Sequence, residues 1–187
     1  MEAARAAASG HDFLLVTAER QTQGRGTKGR AWQSPQRNIY LTAAVHRNFL
    51  PPERMRLFPL EAGLALWETA ASFLPPAQRN GLRLKWPNDL LLDGAKLGGV
   101  LLETVTVPTG DLRAPVAPVA IIGIGVNCAT APDDLPYPAR ALSARGPDAP
   151  TRDTFFAALS DAFVETLAVW RGGEGFAQLR AEWLQYA

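Results

Sequence analysis

Apolar and polar positions along the chain follow two periods. Short, β-prone apolar runs at Phe13 to Ala18 (FLLVTA), Asn38 to Val45 (NIYLTAAV), Leu82 to Trp86, Leu97 to Val105 and Val119 to Val126 (VAIIGIGV) predict strands. Pro59 to Leu74 carries Leu60, Leu64, Trp67 and Ala71 at helical spacing, with a proline suited to the first turn and Pro75-Pro76 as a stop. Thr151 is a good N-cap for a second helix running to about Trp170, with Phe155, Phe156, Leu159, Phe163 and Leu167 on its apolar side. Gly172-Gly173 closes it, and Gly175 to Leu184 predicts a further short helix. Asp93-Gly94 is a hairpin-turn signal. Strands paired mostly by turns, with a few packing helices, read as an α+β fold and not as a regular βαβ alternation.

Composition narrows the class. The length of 187 residues, 47% of them hydrophobic and 20% charged, suits one globular domain with a real core. Nineteen Lys plus Arg against 18 Asp plus Glu give a net charge of +1, which argues against a surface built throughout for nucleic acid or anionic membrane. One cysteine, Cys128, excludes an internal disulfide framework, and with two histidines it disfavours a structural zinc site. No apolar run approaches the ~20 residues of a membrane span. Met1 to Ser9 is Ala-rich without the apolar core of a signal peptide. The expectation is a cytoplasmic protein with no membrane association. Eight of the 15 prolines fall between Pro108 and Pro150, so Pro108 to Pro118 and Ala129 to Pro150 read as exposed connections.

Three segments carry chemistry. Gln21 to Arg37 lies between two strands and holds three glycines, a proline and no acid. Glycines let backbone N–H groups approach a polyanion, and Arg25, Lys28 and Arg30 supply charge-assisted hydrogen bonds. The spacing is neither a Walker A loop nor a Rossmann fingerprint. A solvated basic loop or a nucleic-acid contact remains open from composition alone. The second segment is Lys85-Trp86-Pro87-Asn88-Asp89, followed by Lys96, Gly98, Gly99 and Glu103. Strand alternation would put Lys96 and Gly98 on one face and Leu97 on the other. Asp89, Asp93 and Glu103 could equally form surface ion pairs. The third is Gly123-Ile124-Gly125-Val126-Asn127, where a buried strand gives way to glycines that permit close approach of a ligand.

Together these segments resemble the biotin protein ligases. That family's pattern runs Gln-x-x-Gly-Arg-Gly-x-x-Gly-Arg-x-Trp-x-Ser-Pro, Lys-Trp-Pro-Asn-Asp, Lys-x-x-Gly-x-Leu-x-Glu and Gly-Ile-Gly-x-Asn, and all four occur here in order, within a resemblance covering about Phe13 to Trp183. The resemblance implies a mixed β-sheet packed by helices and a two-step ligation using ATP and Mg²⁺. Biotin would be activated as biotinyl-5′-AMP, then transferred to a lysine on the biotin carboxyl carrier domain of a carboxylase. The resemblance places Lys96 between the biotin carboxylate and the phosphate; Lys96, Arg25 and Asp89 are the candidate catalytic residues, Asp89 as a base on its own chemistry and not on the family's pattern. Arg25, Lys28 and Arg30 would neutralise phosphates. Gln21, Gly24, Arg25, Gly26 and Thr27 fall at positions that bind biotin or adenylate in the family. Trp32, Lys85, Gly98, Gly99 and Gly125 are expected around the ligand, and Asn127 at its nucleotide end. For Trp32 and Trp86 core packing is an equal expectation. Asn88 and Asp89 would position metal, phosphate or the incoming lysine; Asp89 is also the candidate Mg²⁺ ligand and a candidate base.

The sequence departs from the family in places. No Ser-Thr-Asn segment precedes Phe13, where the family has one that helps hold biotin's ureido ring, and Met1 to Ser9 matches only the helix after it. The expectation is a single catalytic domain over residues 1–187, without an N-terminal winged helix, without DNA binding and without the small C-terminal β-barrel. Thr27 takes a place where the family usually has arginine. A homodimer is left open. The alternatives are a lipoyl or octanoyl transferase of the same fold, disfavoured by Lys-Trp-Pro-Asn-Asp with Gly-Arg-Gly, and a non-catalytic nucleic-acid-binding module resting on the basic loop.

Overall fold

The computed structural model describes residues 13–46, 52–108, 112–113, 116–145 and 150–187. The helix expected over Met1 to Ser9 lies outside the described residues. Six strands form one sheet: β1 (Phe13–Ala18), β2 (Ile39–His46), β3 (Leu82–Lys85), β4 (Asp89–Leu92), β5 (Ala95–Pro108) and β6 (Val116–Val126), in the order β1-β2-β6-β5-β4-β3. The helices are α1 (Phe58–Ser72), α2 (Arg152–Trp170) and α3 (Phe176–Gln185). The α+β class is therefore as expected. Among the described residues the strand ladders are all antiparallel, and the parallel component of the expected mixed sheet reduces to one isolated bridge between Lys96 and Ala139.

Each helix begins where its sequence dictates. Pro59 sits in the first turn of α1, where its missing N–H costs nothing. The Thr151 side chain accepts from the Thr154 amide at 3.2 Å and caps α2. Helix α2 ends on Arg171, whose φ of 44° leaves the helical region.

Alternation along the strands divides the sheet into two faces. Ile39, Leu41, Ala43 and Val45 of β2, with Ile122, Ile124 and Val126 of β6, are buried in the main core with Phe58, Leu64, Phe155, Phe163 and Trp170 of the helices. Phe58 meets Trp170 edge-on at 6.1 Å, and Phe73 stacks on Phe155 at 5.6 Å. The intervening residues Tyr40, Thr42, Gly123 and Gly125 turn to the opposite face, where a cavity opens. Among the described residues no helix is long and apolar enough to cross a membrane.

Two features differ from the reading of the sequence. Asp89 to Leu92 is a strand of its own, paired with β3 and β5, although its three consecutive leucines hide any alternation. Between β4 and β5 the register shifts: Leu90 faces Gly98 but Leu91 faces Lys96, so Leu97 is an extra residue. Leu97 stays in the core, opposite Lys96 as expected, but the bulge sets Gly99 and not Gly98 beside Lys96 on the cavity, correcting the expected pairing of Lys96 with Gly98.

Candidate functional site

The cavity holds about 560 Å³. Its floor is sheet backbone made bare by glycine: Gly99 pairs with Gly125 across β5 and β6, and Gly123 faces Thr42 across β6 and β2. A methyl group at Gly125 would fall 2.6–2.8 Å from the Trp32 indole, so Trp32 packs directly on this glycine. At Gly99 the nearest atoms to an added carbon would be Asp89 Oδ1 and Lys96 Cε and Nζ, all at 3.3 Å.

Lys96 is held from several sides. Its Nζ donates to Asp89 Oδ1 at 2.5 Å and lies over the rings of Trp32 and Tyr137, 5.6 and 5.7 Å from their centres. Its amide donates to the Pro138 carbonyl at 2.8 Å, and its carbonyl accepts from Arg140 N–H at 2.9 Å. The cation is thus fixed at the cavity wall, partly shielded from water, where a charge acts more strongly than in bulk solvent.

The basic loop folds back on itself. Gly26 N–H donates to the Arg30 carbonyl at 2.7 Å and Trp32 N–H to the Gly24 carbonyl at 2.9 Å, around a 3₁₀ turn at Thr27–Gly29. Gly29 has a φ of +72° and Gly24 has no room for a side chain against the Trp32 carbonyl, which accounts for two of the loop's glycines. Arg30 donates to the Thr27 carbonyl and hydroxyl at 3.3 and 3.1 Å. Arg25 reaches Glu103 of β5 at 3.6 Å, and Ser34 donates to Gln21 Oε1 at 3.2 Å.

Gln21, Arg25, Gly26, Thr27, Arg30, Trp32, Asn88, Lys96, Gly99 and Gly125 line the cavity. Asp89 touches it through Lys96. Asn88 is tied to β5, donating to the Val100 carbonyl at 2.7 Å. Gly98 lies beneath the floor, packed against the Gly125 carbonyl, and Gly24 serves the loop's own closure. Lys85 is exposed on the edge strand β3, outside the cavity lining. Lys28 belongs to the 3₁₀ turn by its backbone. Trp86 is 62% exposed with its ring edge on Trp183, so neither core packing nor cavity lining describes it. Asn127 is buried: its amide donates to the Leu97 carbonyl, its carbonyl accepts from Leu142, and its side chain meets Asn38 at 3.4 Å.

Tyr40, Asn38 and Tyr137 join the site without a motif in the sequence that marks them. Tyr40 lines the cavity, donates to the Pro35 carbonyl at 2.7 Å, and burial pushes its phenol up to about 12, so it acts as a neutral donor. Asn38 Oδ1 accepts from the amides of Ala129 and Thr130, and its amide donates to the Thr130 carbonyl at 2.8 Å. Asn38 thereby anchors the start of the proline-rich connection. Tyr137 comes from that connection, and its approach to Lys96 depends on a chain path with no local signature. Among the described residues no group of three His, Cys, Asp or Glu side chains is placed to hold a metal.

The biotin/lipoate A/B protein ligase family model matches residues 7–127 of this chain. A biotin–[acetyl-CoA-carboxylase] ligase of Mycobacterium tuberculosis is 34% identical over 170 residues, covering 88% of this chain and 59% of that protein. One from Paracoccus denitrificans is 34% identical over 183 residues, covering 92% of this chain and 70% of that protein. The crystal structure of the Leishmania major biotin protein ligase in complex with biotinyl-5-AMP superposes with a TM-score of 0.79 at 27% identity, over 98% of this chain and 74% of that one. The chain therefore spans 59% of the length of the first of these relatives.

Proposed function

The chain belongs to the biotin/lipoate A/B protein ligase family, and from that premise we propose that it is an ATP-dependent biotin protein ligase acting on a biotin carboxyl carrier domain. The observation that carries this reading is Lys96, an ammonium group fixed by Asp89 between two aromatic rings on the wall of a glycine-floored cavity. The relatives' names and the adenylate in the Leishmania major complex supply the substrate class.

In the first step a carboxylate oxygen of biotin attacks the α-phosphorus of ATP. A phosphorus–oxygen bond to pyrophosphate breaks, and biotinyl-5′-AMP forms. Two anions must meet for this, and Lys96 lowers their repulsion where they join. Arg25 and Arg30, on the cavity's basic side, neutralise phosphate oxygens. In the second step the carrier's lysine, as the free amine, attacks the acyl carbonyl; a carbon–nitrogen bond forms, the acyl carbon–oxygen bond to AMP breaks, and the proton shed by the nitrogen passes to the departing AMP phosphate or to water. Asp89 is the acidic group beside Lys96 and is assigned to steer that cation and receive the incoming amine. Neither step needs a covalent enzyme intermediate.

Mg²⁺ is proposed to enter as MgATP, part of the substrate. Asp89 is committed to Lys96 and Glu103 contacts Arg25, which suits an ion carried on phosphate oxygens and water better than one caged by protein carboxylates. The test is pyrophosphate release with biotin, lipoate or neither. Release stimulated by biotin alone supports the reading, and release with lipoate alone replaces it by the family's other branch.

A further inference from the structure

Asp93 lies at the β4–β5 turn, outside the cavity lining, yet two cations converge on it. Arg140 Nη1 donates to Asp93 Oδ2 at 2.6 Å. Arg145 binds side-on, from Nε to Oδ2 at 2.9 Å and from Nη2 to Oδ1. The Asp93 amide donates to the Gly81 carbonyl at 2.8 Å, and a methyl group at Gly81 would overlap the Asp93 carboxylate. The turn is thus seated firmly, with φ of 51° at Asp93 and 76° at Gly94.

What this cluster holds is the backbone beside Lys96. Strand β6 ends at Val126, opposite Gly98, so its ladder does not reach Lys96. Pro138–Arg140 takes its place there, accepting from the Lys96 amide and donating back to its carbonyl. Arg140 thus hydrogen-bonds Lys96 through its backbone and Asp93 through its side chain. Tyr137, whose ring lies over the ammonium group, is on the same short stretch. A single exposed ion pair contributes little, but a carboxylate shared by two guanidinium groups, one of them bidentate, is a directional anchor.

We propose that Asp93 is a positioning residue for Lys96: through Arg140 and Arg145 it fixes the 137–140 backbone against Lys96 and sets the lysine's place at the cavity. Its kinetic consequence rests on the ligase reading, whereas its structural consequence does not. The test compares the wild-type chain with Asp93→Asn, Asp93→Glu and Gly81→Ala, by amide hydrogen exchange without ligand and by biotin-dependent pyrophosphate release.

In Asp93→Asn the amides of Lys96 and Arg140 should exchange about tenfold faster, a local opening that leaves the α1–α2 core amides unchanged. The same variant should lose about tenfold in kcat with KM for biotin within about twofold, the pattern of a misplaced group rather than lost ground-state binding. Asp93→Glu, which keeps a two-oxygen acceptor, should recover most of both. Gly81→Ala, which displaces the carboxylate without removing it, should behave like Asp93→Asn. Unchanged exchange at both amides, or faster exchange with an unchanged kcat, would overturn the proposal. Should Asp93→Asn not fold, Arg145→Gln decides: partial loss of protection and of kcat supports the anchor, and no change in either refutes it. If the wild-type chain released no pyrophosphate, the ligase reading would fail while the exchange measurement still decided the anchor.

Discussion

Lys96 and the atoms around it concentrate the chemistry into a few side chains. Lys96→Ala removes one charge-stabilising donor from the cavity wall and should slow biotinyl-AMP formation by ~10²-fold. The thermal midpoint should change little, because Lys96 lines a cavity and is not part of the apolar core. Adenylate formation at the wild-type rate would refute the assignment. Gly125→Ala tests the floor. The new methyl group would meet the Trp32 indole at 2.6–2.8 Å, so the ring must leave its place beneath Lys96. Biotin-dependent pyrophosphate release should slow by about tenfold or more, the scale expected when a reacting group is misplaced by about 1 Å. Thr27 tests the basic loop. It lines the cavity and accepts from Arg30, but it brings no charge where the family's arginine would. A charge-assisted hydrogen bond contributes ~1.5–3 kcal/mol. With Arg30 close by, the smaller end applies, so Thr27→Arg should retain pre-loaded radiolabelled biotinyl-AMP about tenfold longer. Equal release rates would show that Thr27 does not govern retention.

The packing of α1 on α2 encloses a fully buried acid. Glu61 is fully buried and accepts from the Thr166 hydroxyl at 2.7 Å. Burial pushes its carboxyl from 4.5 up to about 8, with Thr166 acting in the opposite sense and Glu68 adding to the rise. The folded chain therefore holds this proton over a pH range where the unfolded chain releases it. Stability from this group is fully present below about 4.5 and is lost as pH rises towards about 8. The slope reaches at most about 1.4 kcal/mol per pH unit. Glu61→Gln should flatten that loss, so urea midpoints of the two proteins should diverge in the variant's favour between pH 5 and pH 8. A constant difference across that range would contradict the linkage. Elements were also where the sequence was most and least readable. The Pro59 start, the Thr151 cap and the Asp93-Gly94 turn depend on local chemistry, and each appears where the residues predict it. The bulge at Leu97 does not: one inserted residue reverses the parity of a strand, and apolar alternation cannot reveal it when glycines follow. That reversal exchanges Gly98 for Gly99 as the neighbour of Lys96.

One sheet separates two environments. Helices cover one face with aromatic and aliphatic side chains, and the other face carries the cavity, floored by glycine and rimmed by cations. A net charge of +1 conceals this asymmetry, because the basic loop is balanced by acids spread elsewhere along the chain. The four motifs were legible because each is contiguous. Their convergence was not, since it depends on β6 lying between β2 and β5 and on the 129–145 connection crossing back to Lys96. Tyr137, Asn38 and the Asp93 anchor all depend on that crossing, which explains why no local pattern announced them. The proposed chemistry is the joining of a carboxylate to a nucleotide phosphate in this cavity. Its most direct test is mass-spectrometric detection of biotinyl-5′-AMP, with stoichiometric pyrophosphate, after mixing the protein with biotin, ATP and Mg²⁺ in the absence of a carrier. The wild-type chain should form both products, and Lys96→Ala should form them at least ~10²-fold more slowly. No adenylate from a folded wild-type protein, or equal rates in the two proteins, would contradict it.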